Sequence, residues 1–187
     1  SGNFTLDEFI RQSLRYSLEV RELTPRSGAS ASIISEKGET VLSELSTSIN
    51  IDTTDNRNMP TEGYSLAIAS SFAGLGGDKE FLRINNNANY YKSFNEESII
   101  LNVGYDAGVI IGLDQDILIS DRYFLGGNSF RGFDQSGLGP RDSNNSDSLG
   151  GNLFYTGSIK ASFGIGLPPE LGVKGNWFAT AGSLTGI

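Results

Sequence analysis

The chain has no cysteine, no histidine and only 5 prolines among its 187 residues. Without histidine and cysteine, it lacks the side chains that hold most zinc ions and that serve as imidazole or thiol catalysts. We therefore predict no metal, no cofactor and no catalytic residue, and hence no enzymatic activity. The absence of cysteine does not identify a compartment, because disulfide-free proteins occur both in the cytosol and in cell envelopes.

Basic residues are also scarce, with 14 lysines and arginines against 22 aspartates and glutamates, which gives a net charge of −8. A nucleic-acid-binding face needs a basic surface for phosphate contacts, so we predict no nucleic-acid partner. No apolar run approaches the roughly 20 residues of a membrane-spanning helix. The first residues, 1–4, show no signal-peptide pattern. Membrane barrels remain possible, because their strands are apolar only at alternate positions.

What the chain does contain is a repeated alternation of apolar and polar side chains. From Ile10 to Arg21, apolar residues fill the even positions except Gln12, and every odd position is polar or charged. In a strand, this pattern places apolar residues on one face of a sheet and polar residues on the other. Similar alternation recurs in six further segments: 44–52, 64–72, 82–90, 99–112, 153–165 and 173–181.

These segments predict an all-β fold: an antiparallel, up-and-down transmembrane β-barrel, present as a partial barrel of about seven strands. The strands have roughly the length that crosses a bilayer on a tilt. Their polar positions hold mainly serine, asparagine, glycine and threonine, which suits a water-filled interior. Short turns at 95–97 and 167–172 contrast with long loops at 24–40 and 113–151, as in membrane barrels.

A soluble antiparallel β-sandwich would also alternate, although its strands are shorter and its outer face is richer in charge. Seven strands do not close a single-chain bacterial barrel, which uses an even number from about 8 upward. The last residues, 183–187, read as the middle of a strand. We therefore expect a piece of a barrel with open edges, which in isolation would associate with other copies.

The most unusual segment is an arginine between two phenylalanines in the loop at 113–151. Arginine is costly to bury without partners, and glycine lets the backbone approach a wall closely. From the residues alone, Arg131 is either a solvated loop arginine or a lock that pins the loop against another part of the protein, and the solvated arginine is favoured. The two phenylalanines are either wedges or simple loop packing, and the glycines serve turn geometry. The predicted loop motif comprises Asp121, Gly126, Gly127, Phe130, Arg131, Gly132 and Phe133.

An ordered set of segments resembles the BamA family of outer-membrane-protein assembly factors, within the wider bacterial surface-antigen group. The segments are 52–57, 60–63, 72–78, 120–127, 130–133, 139–142 and 149–152, and they resemble alphaproteobacterial members most. The resemblance implies a sixteen-stranded barrel behind periplasmic POTRA domains. Residues 1–187 would be part of that transmembrane domain, about strands seven to thirteen, with loop 113–151 folded into the lumen.

The resemblance also implies a function. The protein would assemble and insert β-barrel proteins into the bacterial outer membrane without enzymatic chemistry, and the Arg-Gly-Phe loop would brace the lumen. Its implied partners are nascent outer-membrane β-barrel proteins, accessory assembly lipoproteins and outer-membrane lipids. The alternatives are a related two-partner secretion or TamA-like translocation pore or, from a different class, a soluble β-sandwich binding module.

One position departs from the family pattern. In the family, the loop arginine meets acidic residues on the lumen faces of the strands after it, and the matching positions here are Lys160 and Thr180. The alternation places both of them, and Asp106, on the polar face, which makes these three the lumen-facing candidates. Because Lys160 would repel Arg131, either Arg131 uses another acceptor, namely Asp106, Asp134 or backbone carbonyls, or this chain is a divergent member of the family.

Overall fold

The computed structural model describes residues 1–95, 98–166 and 173–186. These residues form one antiparallel sheet of eight strands that follow one another in chain order. The strands are β1 (Gly2–Thr5), β2 (Ile10–Leu23), β3 (Gly38–Asp52), β4 (Gly63–Ala73), β5 (Phe81–Phe94), β6 (Ile99–Gly112), β7 (Leu153–Gly164) and β8 (Lys174–Thr185). The helical elements are α1 (Ala31–Ile34) and a 3₁₀ turn (Ile119–Asp121).

All seven predicted strands are present, and the short strand β1 is added at one edge. Its four residues are too few to show alternation in the sequence, and only their pairing with β2 identifies them as a strand. Strand β3 begins at Gly38, which pairs with Leu23, so the predicted loop 24–40 is limited to residues 24–37. Residues 96–97 of one predicted turn and the whole predicted turn 167–172 lie outside the described residues.

The pairing register places the apolar positions of neighbouring strands side by side. Tyr16 is opposite Leu45, Leu45 is opposite Phe72, and the row continues through Leu82 to Ile111. Because side chains alternate between the two sides of each strand, such rows form one continuous apolar face. The polar positions form the opposite, polar face.

The apolar face is uncovered. Its side chains are largely exposed, including Val20 (67% exposed) and Trp177 (57%). Within the described residues, the single sheet has no second sheet packed over it. Water-soluble monomers rarely expose so large a contiguous apolar patch, whereas a lipid-facing barrel wall requires one. The soluble β-sandwich alternative is therefore not favoured, since a sandwich buries this face against a second layer. Among the described helices, none is both long and apolar enough to cross a membrane.

The hydrophobic core lies on the polar face, at one end of the sheet. We call this the loop end, because loops 24–37, 74–80 and 113–152 leave the sheet there. Its apolar side chains form two buried clusters together with residues of loop 113–152. The strand residues in these clusters are Leu42, Ala73, Phe81, Ile110, Phe154 and Leu184. The polar face is thus apolar where that loop covers it.

Candidate functional site

The segment between β6 and β7, residues 113–152, lies across the polar face; we call it the connection. Isolated backbone bridges join Tyr123 to Gly151 and Leu125 to Leu138. The chain therefore folds back on itself as a braced double segment. Its base (117–123) contacts the sheet through both charged and apolar side chains, whereas its tip (125–138) does so mainly through apolar ones.

The base is held by a buried ion pair. Asp121 Oδ2 lies 2.6 Å from Lys79 Nζ, and the two side chains are only 3% and 4% exposed. Asp121 Oδ1 lies 3.2 Å from Arg21 Nη1 on β2. Arg21 is far more exposed and is shared with Glu19, at 2.9 Å. Because a buried charge that loses its partner is strongly unfavourable, the 74–80 turn and the connection are firmly coupled here.

Two further side chains of the base contact β5. Arg83 Nη2 donates a hydrogen bond to the backbone oxygen of Asp121 at 2.8 Å. Tyr123 donates its hydroxyl to Asn85 Oδ1 at 2.6 Å, and burial raises the pKa of Tyr123 to about 12. The phenol therefore remains a neutral donor at physiological pH.

A glycine on β6 makes the space that Tyr123 occupies. A Cβ atom at Gly108 would lie 2.5 Å from Phe154 Cε1 and 2.8 Å from Tyr123 Cζ, well inside van der Waals contact. The two rings meet edge to face, with centroids 4.7 Å apart. The missing side chain at Gly108 thus lets the connection sit directly on the sheet.

The base is also tied to loop 24–37. The Glu36 carboxylate accepts hydrogen bonds from the backbone N–H groups of Ile119 and Ser120, which begin the 3₁₀ turn. Arg122 donates to the carbonyl oxygens of Ile117 at 3.1 Å and Leu149 at 3.3 Å, which joins the two limbs of the connection. The base therefore contacts β2, β5, the 74–80 turn and loop 24–37.

The tip is held mainly by apolar contact. Phe130 is 6% exposed and packs in a cluster with Leu125 and the wall residues Phe154 and Leu184. Phe133 is 47% exposed and meets the Phe130 ring edge to face, with centroids 5.3 Å apart. Of the two phenylalanines in the motif, Phe130 is therefore the wedge and Phe133 covers it.

The tip turns so sharply that Gly126 has no substitute. Its φ is +139°, and a Cβ atom there would collide with the backbone oxygen of Asp134. The Gly127 N–H donates to Phe133 O at 2.9 Å across the turn. Gly127 and Gly132 also have positive φ values, of +57° and +95°. The geometry expected of these motif glycines is present.

Arg131 lies over an aromatic ring. Its Cζ atom is 5.3 Å from the centroid of the Phe178 ring on β8. Across residues 1–95, 98–166 and 173–186, no hydrogen bond or ion pair involves the Arg131 guanidinium, so Asp106, Asp134 and backbone carbonyls are not its acceptors there. Arg131 is exposed, and its contact is aromatic where the sequence suggested an oxygen.

The three lumen-facing candidates all lie on the polar face. Asp106 is opposite Thr156, Lys160 is opposite Phe178, and Thr180 is opposite Ser158. Lys160 is therefore the cross-strand neighbour of the ring beneath Arg131. No group of three or more acidic, histidine or cysteine side chains suited to a metal ion occurs among the residues that the structure describes.

Sequence reasoning missed five residues of this site: Arg21, Lys79, Arg83, Tyr123 and Phe178. One of them, Phe178, could have been identified from the sequence. Trp177 and Phe178 are consecutive aromatics in an alternating strand, so one of them must lie on the polar face. Lys79 gave no such signal, because its partner is distant in the sequence and no periodicity connects a turn with a loop.

Comparisons with known proteins place these features in a family. The model of the Omp85 superfamily domain matches residues 4–187. The outer membrane protein assembly factor BamA of Neorickettsia risticii (strain Illinois) is 36% identical over 189 residues, covering 100% of this chain and 25% of that protein. The sorting and assembly machinery component 50 homolog A of Xenopus laevis is 32% identical over 155 residues, covering 81% of this chain and 32% of that protein.

A solved structure shows the same fold. The crystal structure of BamA from Haemophilus ducreyi lacking POTRA domains 1–3 matches with a TM-score of 0.78 and 17% sequence identity. The match covers 98% of this chain and 40% of that one. The eight-stranded sheet is therefore part of a barrel of this type. The chain spans about a quarter to a third of the curated relatives described above.

Proposed function

We propose, from the premise that this chain belongs to the Omp85 superfamily, that it forms part of a protein that assembles and inserts β-barrel proteins into the bacterial outer membrane. The protein lies in that membrane, and residues 1–187 belong to one transmembrane barrel domain. They correspond to about strands seven to thirteen of sixteen, with β1 added at the leading edge. The apolar face contacts lipid, and the polar face lines the lumen.

In this arrangement, the connection braces the lumen from inside. Its base fixes it to the loop end of the wall, and its tip reaches β7 and β8 through Phe130 and Arg131. The protein makes and breaks no covalent bond. Its work comes from a deformable barrel wall and from pairing of strand edges with client strands.

The proposed partners follow from the same assignment. They are nascent outer-membrane β-barrel proteins, accessory assembly lipoproteins and outer-membrane lipids. The described piece ends in unpaired strand edges at β1 and β8. On its own, it would associate with other copies through these edges, because unpaired N–H and C=O groups template further pairing.

One observation carries the proposal: a braced connection occupies the polar face of a sheet whose apolar face is uncovered. In the proposed barrel, the connection would narrow the lumen at the loop end. A related secretion or translocation pore would share the barrel, so geometry alone does not separate the two functions. Assembly is favoured because the relatives over this region carry assembly in their names.

The proposal can be tested with the full-length protein in liposomes. A urea-unfolded client barrel is added, and its folding is followed by the change in gel mobility of the unheated sample. We expect faster client folding than in empty liposomes of the same lipid. A matched variant has residues 125–138 replaced by a short glycine-serine segment, which leaves the base intact, and we expect it to be slower.

The opposite outcome would be informative. If client folding is no faster than in empty liposomes while an unfolded polypeptide crosses into the lumen of the vesicles, the translocation alternative is correct. If neither activity is present, although the protein resists protease as a folded barrel, the proposed function is wrong.

A further inference from the structure

Phe178 is out of place on the polar face. Its neighbours on that side of β8 are Asn176 and Thr180, and its cross-strand partner is Lys160. It lies beyond the two apolar clusters at the loop end and is 47% exposed. An apolar ring facing a watery lumen gains nothing from its position unless something binds to it.

The side chain over this ring is Arg131. Phe130, the preceding residue, is fixed in the cluster with Leu184, which lies on the same side of β8 as Phe178. The buried wedge therefore holds its neighbour above the strand, and the guanidinium lies 5.3 Å from the ring centroid. A planar guanidinium at this distance from an aromatic face is attracted by the negative charge of the π system.

We propose that Phe178 is the positioning residue that receives Arg131, so that the tip is latched by a cation–π contact and not by an ion pair. Lys160 explains why the contact takes this form. Lys160 is the cross-strand partner of Phe178, so it adds positive charge beside the ring that Arg131 covers. The aromatic ring attracts Arg131 without a carboxylate. If a carboxylate held Arg131 instead, Lys160 would compete with Arg131 for it.

The latch has a measurable signature. Ion pairs between exposed side chains weaken as salt screens them, because the Debye length falls to about 3 Å at 1 M ionic strength. A guanidinium in direct contact with a ring leaves no room for screening ions between the groups. Opening of the tip in this protein should therefore change little between low and high salt.

The test uses the full-length protein in lipid and follows hydrogen exchange of the 125–137 peptide. Its reporter is the Gly127 N–H, which is bonded to Phe133 O. The variants are Phe178→Leu, Phe178→Trp, Arg131→Gln and the double variant Phe178→Leu with Arg131→Gln. The 119–124 peptide in the base serves as the internal control for folding.

We expect Phe178→Leu and Arg131→Gln each to raise exchange at the tip by about two- to fivefold, the size of an exposed cation–π contact. The double variant should exchange no faster than either single variant, because both remove the same contact. Phe178→Trp should keep or improve protection. Exchange in the base should be unchanged in all four.

Three results would overturn the latch: additive effects in the double variant, no change in Phe178→Leu, or wild-type tip exchange that rises strongly with salt. The last result would mean that Arg131 binds a carboxylate outside this chain segment. The inference rests on the proposed function only for the barrel setting. Hydrogen exchange at the tip does not measure client folding, so either claim can fail while the other stands.

Discussion

The base and the tip of the connection are attached to the same sheet differently: both pack apolar side chains against it, and within the described residues only the base adds a buried ion pair. At the base, a carboxylate and an ammonium group are removed from water and paired with each other, and the surrounding hydrogen bonds reach several separate parts of the wall. At the tip, one buried phenylalanine supplies the contact and an exposed arginine adds a weaker one. The base is therefore an anchor, and the tip is a releasable latch.

Breaking the anchor should have the largest effect. Asp121→Asn leaves Lys79 buried without a counter-charge, which costs about 3–5 kcal/mol. We expect the full-length protein in lipid to show faster protease cleavage throughout the connection. The matched control is Asp134→Asn at an exposed position of the tip, which should behave like the wild type. Equal cleavage of the Asp121 variant and the wild type would show that the base is no anchor.

A double variant separates the effect of the unpaired charge from the effect of packing. Asp121→Leu with Lys79→Met replaces the buried pair with apolar side chains of similar size. Such exchanges are often neutral or stabilising, so protection of the connection should largely return. If the double variant is as labile as Asp121→Asn, the loss comes from packing and not from the unpaired charge.

Removing the wedge should release the tip alone. Phe130→Ala deletes a buried ring and should weaken docking of the tip by about 3 kcal/mol. Hydrogen exchange should rise in the 125–137 peptide and remain unchanged in the base. Phe133→Ala, at an exposed ring, is the matched control and should cost about 0.5 kcal/mol. Simultaneous opening of the base in the Phe130 variant would contradict the division into two independent contacts.

Filling the space under Tyr123 tests the base without changing its charges. Gly108→Ala places a methyl group against Tyr123 and Phe154, and overpacking of this kind costs about 1–3 kcal/mol. We expect increased protease cleavage near residue 123. Gly157→Ala on β7 is the control, because a Cβ atom there meets nothing within 4 Å. Identical behaviour of the two variants would mean that the connection does not need this close approach.

The smallest expected effect lies far from both contacts, in the 53–62 turn. Backbone hydrogen bonds from Glu62 and Thr61 and the Thr61 hydroxyl lower the pKa of Asp55 from 3.8 to about 2. Because the folded pKa is depressed, the stabilisation is present above about pH 4 and is lost as the pH falls through about 2. The base and the tip should be unaffected over this range.

Pepsin cleavage between about pH 2 and 4 measures this loss, since native-state proteolysis reports local opening. The wild type should become more labile within the turn as the pH falls. Asp55→Asn cannot titrate, so the ratio of its cleavage rate to that of the wild type should decrease towards low pH. A constant ratio would mean that ionised Asp55 does not hold the turn.

Much of the fold could be predicted from the sequence, because alternation reports directly on which side of a strand each residue lies. For the apolar residues in the rows from Tyr16 to Ile111, alternation alone indicated the side of the sheet, although not the pairing register between the strands. The apolar residues of the polar face could not be predicted in the same way. Phe81 and Ile110 break the pattern because the connection buries them, and that burial is a tertiary contact with no local signal.

The residues of the candidate site also differ in whether the sequence predicts them. The motif identified Phe130, Arg131 and the glycines, because unusual residues in a long loop are visible in a single segment. The residues that contact this motif could not be predicted in the same way. The ion pair joins Lys79 in the 74–80 turn to Asp121 in the connection. The ring that Arg131 covers belongs to a strand more than forty residues later. Contacts between distant segments depend on the three-dimensional register, which alternation alone does not supply.

Burial of Ile117 among Leu42, Phe81 and Ile110 bears on the route that a client could take. In the proposed barrel, a polypeptide threading along the axis would have to displace Ile117 and expose these four apolar side chains to water at the loop end. Separation of β5 from β6 would disturb the same cluster, because Phe81 and Ile110 lie on these two paired strands. In the proposed barrel, the Ile117 cluster therefore opposes both passage through the loop end and parting of these strands.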